Sequence, residues 1–171
     1  MQANLFNNIK RTKLYSSIHL KSIKMDNKRL EFLQSYIGKH FTGSPSPFAH
    51  WLNGKVIAVE KENVEFEFEV RKEMTNPVGM LHGGVTAGMI DDCIGVNFMV
   101  LGLEKFYPTI NLYIDYFNPA FESQTVIVKT TLAKLGKTII NIKAEVINKN
   151  TSKIMAQASA NLAISDVKIP V

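Results

Sequence analysis

Residues 76–91 read NPVGMLHGGVTAGMID and gather residue types that could do chemistry on a carbonyl. Gly83 and Gly84 let the backbone turn sharply into a helix, whose first N–H groups lack internal partners and lie at the positive end of the dipole. With no side chain on Gly83, a substrate oxygen can approach its amide closely, and such an amide can stabilise a developing oxyanion. Most double glycines are only turns, and that reading stands beside this one. Asp91 and Asp92 follow two turns later, within a stretch from Met74 to Leu103 that holds no Lys or Arg. An ionised carboxylate in apolar surroundings needs a partner, and one in a dry cleft is a candidate general base with a raised pKa. Adjacent helical residues point about 100° apart, so the two acids have different roles, one meeting a cleft and the other a cap or water. The competing reading is a structural acid bonded to backbone or to a partner subunit.

His82 is a candidate base, metal ligand or cap. No second His, Cys or acid stands nearby at ligand spacing, which argues against a metal. His19, His40 and His50 lie in the tail and a loop with no motif around them. Glu65, Glu67 and Glu69 alternate with Val64, Phe66, Phe68 and Val70. Period-two spacing sets those carboxylates about 7 Å apart on one solvated strand face, so they are not read as a metal site. Cys93 is the single cysteine. It excludes a disulfide within one chain and suits a reducing, cytoplasmic setting, and its apolar surroundings make it a buried small hydrophobe rather than a nucleophile.

The elements that must position these groups follow from patterning. Lys28 to Gly38 reads as a short amphipathic helix. His40 to Gly54, with Gly43, Pro45, Pro47 and Gly54, reads as a loop pinned to the core by Phe48, Trp51 and Leu52. Val56–Lys61 and Val64–Val70 read as strands flanking a turn at Glu62-Asn63. A helix is expected from Gly83 to Leu101, apolar around nearly its whole circumference and therefore enclosed. Strands are expected over Thr109–Phe117, Thr125–Leu135, Thr138–Asn148 and Lys153–Ile164. Antiparallel strands before and after one buried helix must curl around it, an α+β arrangement with a sheet edge or apolar face left for self-association.

The 171 residues, 46% apolar and 20% charged, suit one soluble domain. The apolar run from Gly79 to Leu103 carries two carboxylates and a histidine, so no membrane span is read. The net charge of +5 resides in residues 1–24, which carry Lys10, Arg11, Lys13, Lys21 and Lys24 and no acid; the other 15 basic residues equal the 15 acidic ones. The domain therefore has no nucleic-acid-binding excess. Residues 1–25 form a basic extension and 26–171 the domain. The extension has three readings: a targeting segment, a disordered arm, or sequence upstream of a true start at Met25.

The run NPVGMLHGGVTAGMIDD resembles the signature of PaaI-like hotdog-fold acyl-CoA thioesterases: an Asn, a His-Gly-Gly six residues on, and an Asp nine residues after the His. YPTINLYIDYFNPA, LAKLGKT and IMAQASANLAI resemble further segments of that family, and the likeness covers roughly residues 28–165. It implies a hotdog fold, a curved antiparallel sheet around the long helix. Two subunits would pair into one continuous sheet, often as a dimer of dimers, with active sites at the interface. Gly83 would donate its N–H to the thioester carbonyl. His82 would shape that turn and contact the carbonyl region, and Asn76 would orient the water or the carbonyl. Asp91 of the facing subunit would activate water or attack directly, with Thr109 near the water and Asp92 structural. The products are free acid and CoA. No metal or redox cofactor is called for, CoA being part of the substrate. Lys134 and Lys137, flanking Gly136, are candidates for the CoA phosphates, with solvent-facing lysines as the bland alternative. Met89, Phe98, Phe106 and Tyr107 either line the acyl pocket or fill the core. The rival function is a non-catalytic acyl-CoA-binding or sensing hotdog protein; a hotdog hydratase lacks its expected His and acid arrangement here.

Overall fold

The computed structural model describes residues 27–167; the readings of residues 1–25 fall outside them. Helix α1, Lys28–Gln34, begins at Asn27, whose Oδ1 accepts from the Leu30 amide, and it buries Leu33 completely. The same Asn27 donates through Nδ2 to the Val100 carbonyl, fastening the start of the domain to the end of the long helix. The chain leaves α1 through turns to Gly38, whose φ of 82° is open to glycine.

The segment 40–54 is not all loop. It contains α2, Pro47–Leu52. Ser46 caps it by accepting from Ala49 N, Pro47 occupies its first turn, and Asn53 closes it in the left-handed region at φ 56°. A capping serine, an early proline and a left-handed asparagine are each helix-boundary signals. Of the three residues expected to pin this segment, Leu52 is buried, whereas Phe48 and Trp51 remain exposed and stack on each other.

Strands β1 (Lys55–Val59) and β2 (Asn63–Glu69) form a hairpin. Its turn lies one residue earlier than expected, closed by Glu60 N donating to Asn63 O. After the short 3-10 turn Lys72–Met74 comes α3, Gly83–Val100. Strands β3 (Thr109–Tyr116), β4 (Thr125–Leu135), β5 (Ile139–Asn148) and β6 (Lys153–Ala163) complete the sheet. The order is β1-β2-β4-β5-β6-β3, and every pairing is antiparallel.

The sheet curls around α3. Val64, Phe66, Phe68, Val126, Val128, Ile140, Ile142, Val146 and Leu162 turn inward against Met89, Ile90, Ile94 and Phe98 of the helix. Fully burying a side chain of the Phe68 or Ile142 kind contributes about 1.5–3 kcal/mol. Asn97 adds a polar tie, donating to the Glu62 carbonyl and to Thr130 Oγ1. The enclosure is incomplete, contrary to the expectation from composition. One stripe of α3, with Gly84, Asp91 and Gly95, stays exposed, and Gly88 on it is partly covered. Glycine counts as neither apolar nor polar in a pattern, so a bare face is easily read as a closed one.

The outer edge of β1 is covered in part by residues 38–41, where His40 bridges Lys55 and Val56 N donates to Lys39 O, so the free edge among the described residues is that of β3. β3 pairs only with β6, and it exposes Ile110, Tyr113 and Tyr116, followed by Phe117. On the outer face an asparagine ladder ties it inward: Asn141 Nδ2 donates to Asn161 Oδ1, and Asn161 Nδ2 donates to Asn111 Oδ1. The cap on α2 has a measurable weight: Ser46→Ala should lower stability by about 1 kcal/mol, read as a shifted denaturant midpoint with an unchanged slope.

Candidate active site

The start of α3 is built by His82. Its backbone is extended (φ −64°, ψ 134°), and its Nδ1 accepts from the Gly84 amide at 2.9 Å. An accepting Nδ1 places the ring proton on Nε2, which is left as a donor. The His82 carbonyl receives Val85 N and Thr86 N, and its own amide donates to Met74 O. Ring and backbone together therefore account for the His82, Gly84, Val85 and Thr86 amides. The Gly83 N–H has no hydrogen-bond partner among the described residues.

The two glycines differ in purpose. A Cβ on Gly84 would lie 3.1 Å from His82 Nδ1, a tight contact that would press on the capping ring. A Cβ on Gly83 would meet only the Tyr116 ring at an ordinary 3.7 Å. Nothing among the described residues demands glycine there, and what the missing side chain opens is approach to the amide from outside.

Asn76 stands before this turn. Its Oδ1 accepts from Val78 N and Met80 N, both at 3.1 Å, and its amide donates to Met80 O. With the oxygen committed to the loop, the side chain presents its NH2 as the remaining donor.

Asp91 is exposed within the chain rather than set in a dry cleft. Thr109 Oγ1 donates to its Oδ1 at 3.0 Å. That contact depends on a β-bulge. Thr109 pairs with Leu162, while Asn111 pairs with Asn161, so two residues of β3 pass one of β6. Strict alternation would send Thr109 outward with Asn111; the bulge turns it onto the inner face beside Leu162. Asp92 is half-buried, and desolvation, followed by the nearby Asp91 charge, lifts it from 3.8 to about 6.

Thr109 thus joins Asp91, and His82 joins Gly83 and Gly84, but the two groups are not brought together. Gly83 and Asp91 are eight residues apart on one helix, about 12 Å along its axis. Tyr116, which the sequence reading passed over, bridges differently: its hydroxyl donates to Gly83 O at 2.9 Å, and partial burial raises its pKa. The only sequence signal for it was an aromatic residue two positions before Asn118-Pro119.

Lys134 and Lys137 are exposed on the β4–β5 hairpin. Gly136 is sterically required there, since a Cβ would fall 2.4 Å from the Ile139 carbonyl oxygen. The hairpin lies near the start of β3, with Tyr107 Oη donating to Lys137 O at 3.4 Å. Met89, Phe98 and Tyr107 are buried core, and Phe106 is partly exposed with its ring edge against Phe98. Cys93 is fully buried, and burial pushes its thiol upward. Among the described residues no three His, Cys, Asp or Glu side chains cluster to hold a metal, and no helix is long and apolar enough to cross a membrane.

A six-stranded antiparallel sheet curled on one central helix, with a capped glycine turn at that helix's start, defines a hotdog fold. The thioesterase superfamily model matches residues 78–155. Human acyl-coenzyme A thioesterase 13 is 32% identical over 106 residues, which span 61% of this chain and 69% of that protein. The crystal structure of mouse thioesterase superfamily member 2 superposes with a TM-score of 0.66 at 23% identity, covering 83% of this chain and 98% of that one. The Escherichia coli PaaI protein superposes with a TM-score of 0.64 at 20% identity, over 68% and 86% of the two chains. The chain belongs to the thioesterase superfamily, among its PaaI-like hotdog acyl-CoA thioesterases.

The Asp92 environment has a stability consequence. A carboxyl with a raised folded-state pKa destabilises the fold once it must ionise, so the penalty is absent below pH 4 and complete above pH 6. Asp92→Asn should therefore raise stability at pH 7 by on the order of 1–3 kcal/mol, seen as a higher Tm, and the gain should vanish when melting is followed down to pH 4.

Proposed function

We propose that the protein hydrolyses an acyl-CoA thioester to the free acid and CoA at sites shared by two copies of the chain. The observation that carries this is the unpartnered Gly83 N–H at a capped helix start, together with an exposed Asp91 steered by Thr109. In this reading the thioester carbonyl oxygen accepts from Gly83 N–H of one copy, with the Nε2 side of His82 alongside. Asp91 of the other copy takes a proton from water as that water's oxygen attacks the carbonyl carbon. The Asn76 NH2 and the Thr109 hydroxyl orient the water. The tetrahedral oxyanion collapses, the C–S bond breaks, and the thiolate of CoA leaves and is protonated. Thiolates are good leaving groups, so an oxyanion donor and a base suffice, and neither metal nor redox cofactor is needed.

Sharing is supported by distance. Two groups about 12 Å apart on one rigid helix cannot flank one carbon. It is also supported by the β3 edge, whose unpaired backbone and exposed Ile110, Tyr113 and Tyr116 suit strand addition by a second copy. Pairing of two such dimers into a homotetramer is part of the same reading, as is a cytoplasmic setting, which rests on one buried, unpaired cysteine. The exposed Lys134 and Lys137 beside Gly136 are assigned to the CoA phosphates. The rival, a protein that binds acyl-CoA without turnover, is served equally well by the fold but has no use for an acid held by Thr109.

Gly83 is the first residue of α3, where proline is tolerated; there it removes the N–H and sets its ring in the approach to that position. Gly83→Pro should therefore keep Tm within a few degrees while thiol release from acyl-CoA falls about 10²–10³-fold. Asp91→Ala should lose turnover to a similar or greater extent with binding retained. Mixing the two inactive variants under conditions of subunit exchange should restore about a quarter of wild-type activity, since each mixed dimer keeps one intact site. Equal rates for wild type and Asp91→Ala would remove the catalytic assignment, and acyl-CoA binding without turnover by wild type would install the rival.

A further inference from the structure

Phe48 is a large apolar side chain left 45% exposed, yet its ring is not loose on the surface. A Cβ on Gly88 would lie 2.6 Å from its Cζ and 2.8 Å from its Cε1. The ring edge therefore rests on the bare backbone of α3, in space that any other residue at position 88 would fill. It is held from behind as well. Phe48 stacks on Trp51 at 5.8 Å and 18°, and the Arg71 guanidinium lies 5.4 Å above the Trp51 ring. Arg71 is itself anchored, donating to the Trp51 and Leu52 carbonyls and pairing with Glu73. This is a braced wall rather than a stray hydrophobe.

Its position matters because Gly88 precedes Asp91 by three residues, which puts both on the open face of the helix. Along that face the surroundings of Asp91 are unequal. Toward the C-terminal end, a Cβ on Gly95 would meet nothing within 4 Å. That direction leads to Phe98, which packs on Tyr107, and so to the β4–β5 hairpin with Lys134 and Lys137. Toward the N-terminal end, the way is closed by Phe48. The polar, cation-bearing direction suits CoA, and the direction ending on an aromatic ring suits an apolar chain.

Resting on the thioesterase reading above, we infer that Phe48 is the specificity-determining residue of the site: its ring closes the acyl groove over Gly88 and sets the longest acyl chain accepted. A saturated chain entering along α3 from the reacting carbon runs up against this ring, so each further methylene must displace it or bend away. Removing the ring extends the groove by the length it occupied.

The test is a profile of kcat/KM for straight-chain acyl-CoAs, from acetyl to palmitoyl, for wild type, Phe48→Ala and Phe48→Leu. The Ala variant is expected to move the optimum to longer chains, with a gain of about fourfold for each methylene newly accommodated, and the Leu variant to move it less. Rates on the shortest substrates should hold, because Phe48 touches none of the reacting groups. A merely structural Phe48 would lower all rates together and leave the shape unchanged; that outcome, with turnover intact, overturns the inference. If the Ala variant fails to fold, the Leu variant decides by the same profile. The parent reading fails differently, through wild type that releases no thiol from any acyl-CoA, and that result removes both.

Discussion

Eight residue steps of α-helix separate the Gly83 amide from the Asp91 carboxylate, and an α-helix does not shorten. The two groups are held on one rod about 12 Å apart, while a carbonyl under attack spans little more than a single bond between its oxygen and its carbon. Under the proposed mechanism each chain thus carries halves of two different sites. The rest of the architecture is consistent with that constraint. Among the described residues β3 has no neighbour on its outer side, and the face of α3 that bears Asp91 is lined by Gly84 and Gly95 and left uncovered by the sheet. Elsewhere the helix is wrapped by buried valines, isoleucines and phenylalanines.

The paired acids show how one helix separates two behaviours in adjacent residues. Asp91 faces outward and is steered by a hydroxyl from a neighbouring strand, whereas Asp92 is drawn toward the interior and ionises reluctantly. A carboxylate that must act on water is better placed in the first setting than a sequence reading allows, because exposure in one copy becomes enclosure only when something covers it. Asp92, in turn, lies on the flank of the same stripe, where its charge state alters the field at its neighbour.

Much of the scaffold was legible because its signals are local. The alternation of Val64, Phe66, Phe68 and Val70 against three glutamates marks β2, and the bounds of α3 and β4 follow from the glycine turn at 83 and the hairpin at Gly136. The His82, Gly83 and Asp91 spacing marked the start of α3 and the acid on its open stripe. What was missed depends on tertiary context. Helix α2 was hidden by a density of Gly and Pro that usually means loop, although Ser46, Pro47 and Asn53 are its boundary residues. The open stripe of α3 was invisible because glycines leave no mark in an apolar pattern. The inward turn of Thr109 results from a bulge against β6, and no alternation rule within TINLYIDY could announce it. Tyr116 reaches back 33 residues to Gly83, a contact that exists only once β3 lies beside the helix start.

The asparagine ladder on the outer face has a bearing on how copies would meet. Asn141, Asn161 and Asn111 are linked like stitches across β5, β6 and β3, in addition to the backbone ladder. The outermost strand is therefore tethered on two levels before anything docks on it. Edges tied so firmly tend to be rigid templates, and rigid templates associate with little rearrangement of their backbone. A newcomer would find a rail already laid, its spacing decided by amides on the side of the sheet that faces away from the chemistry.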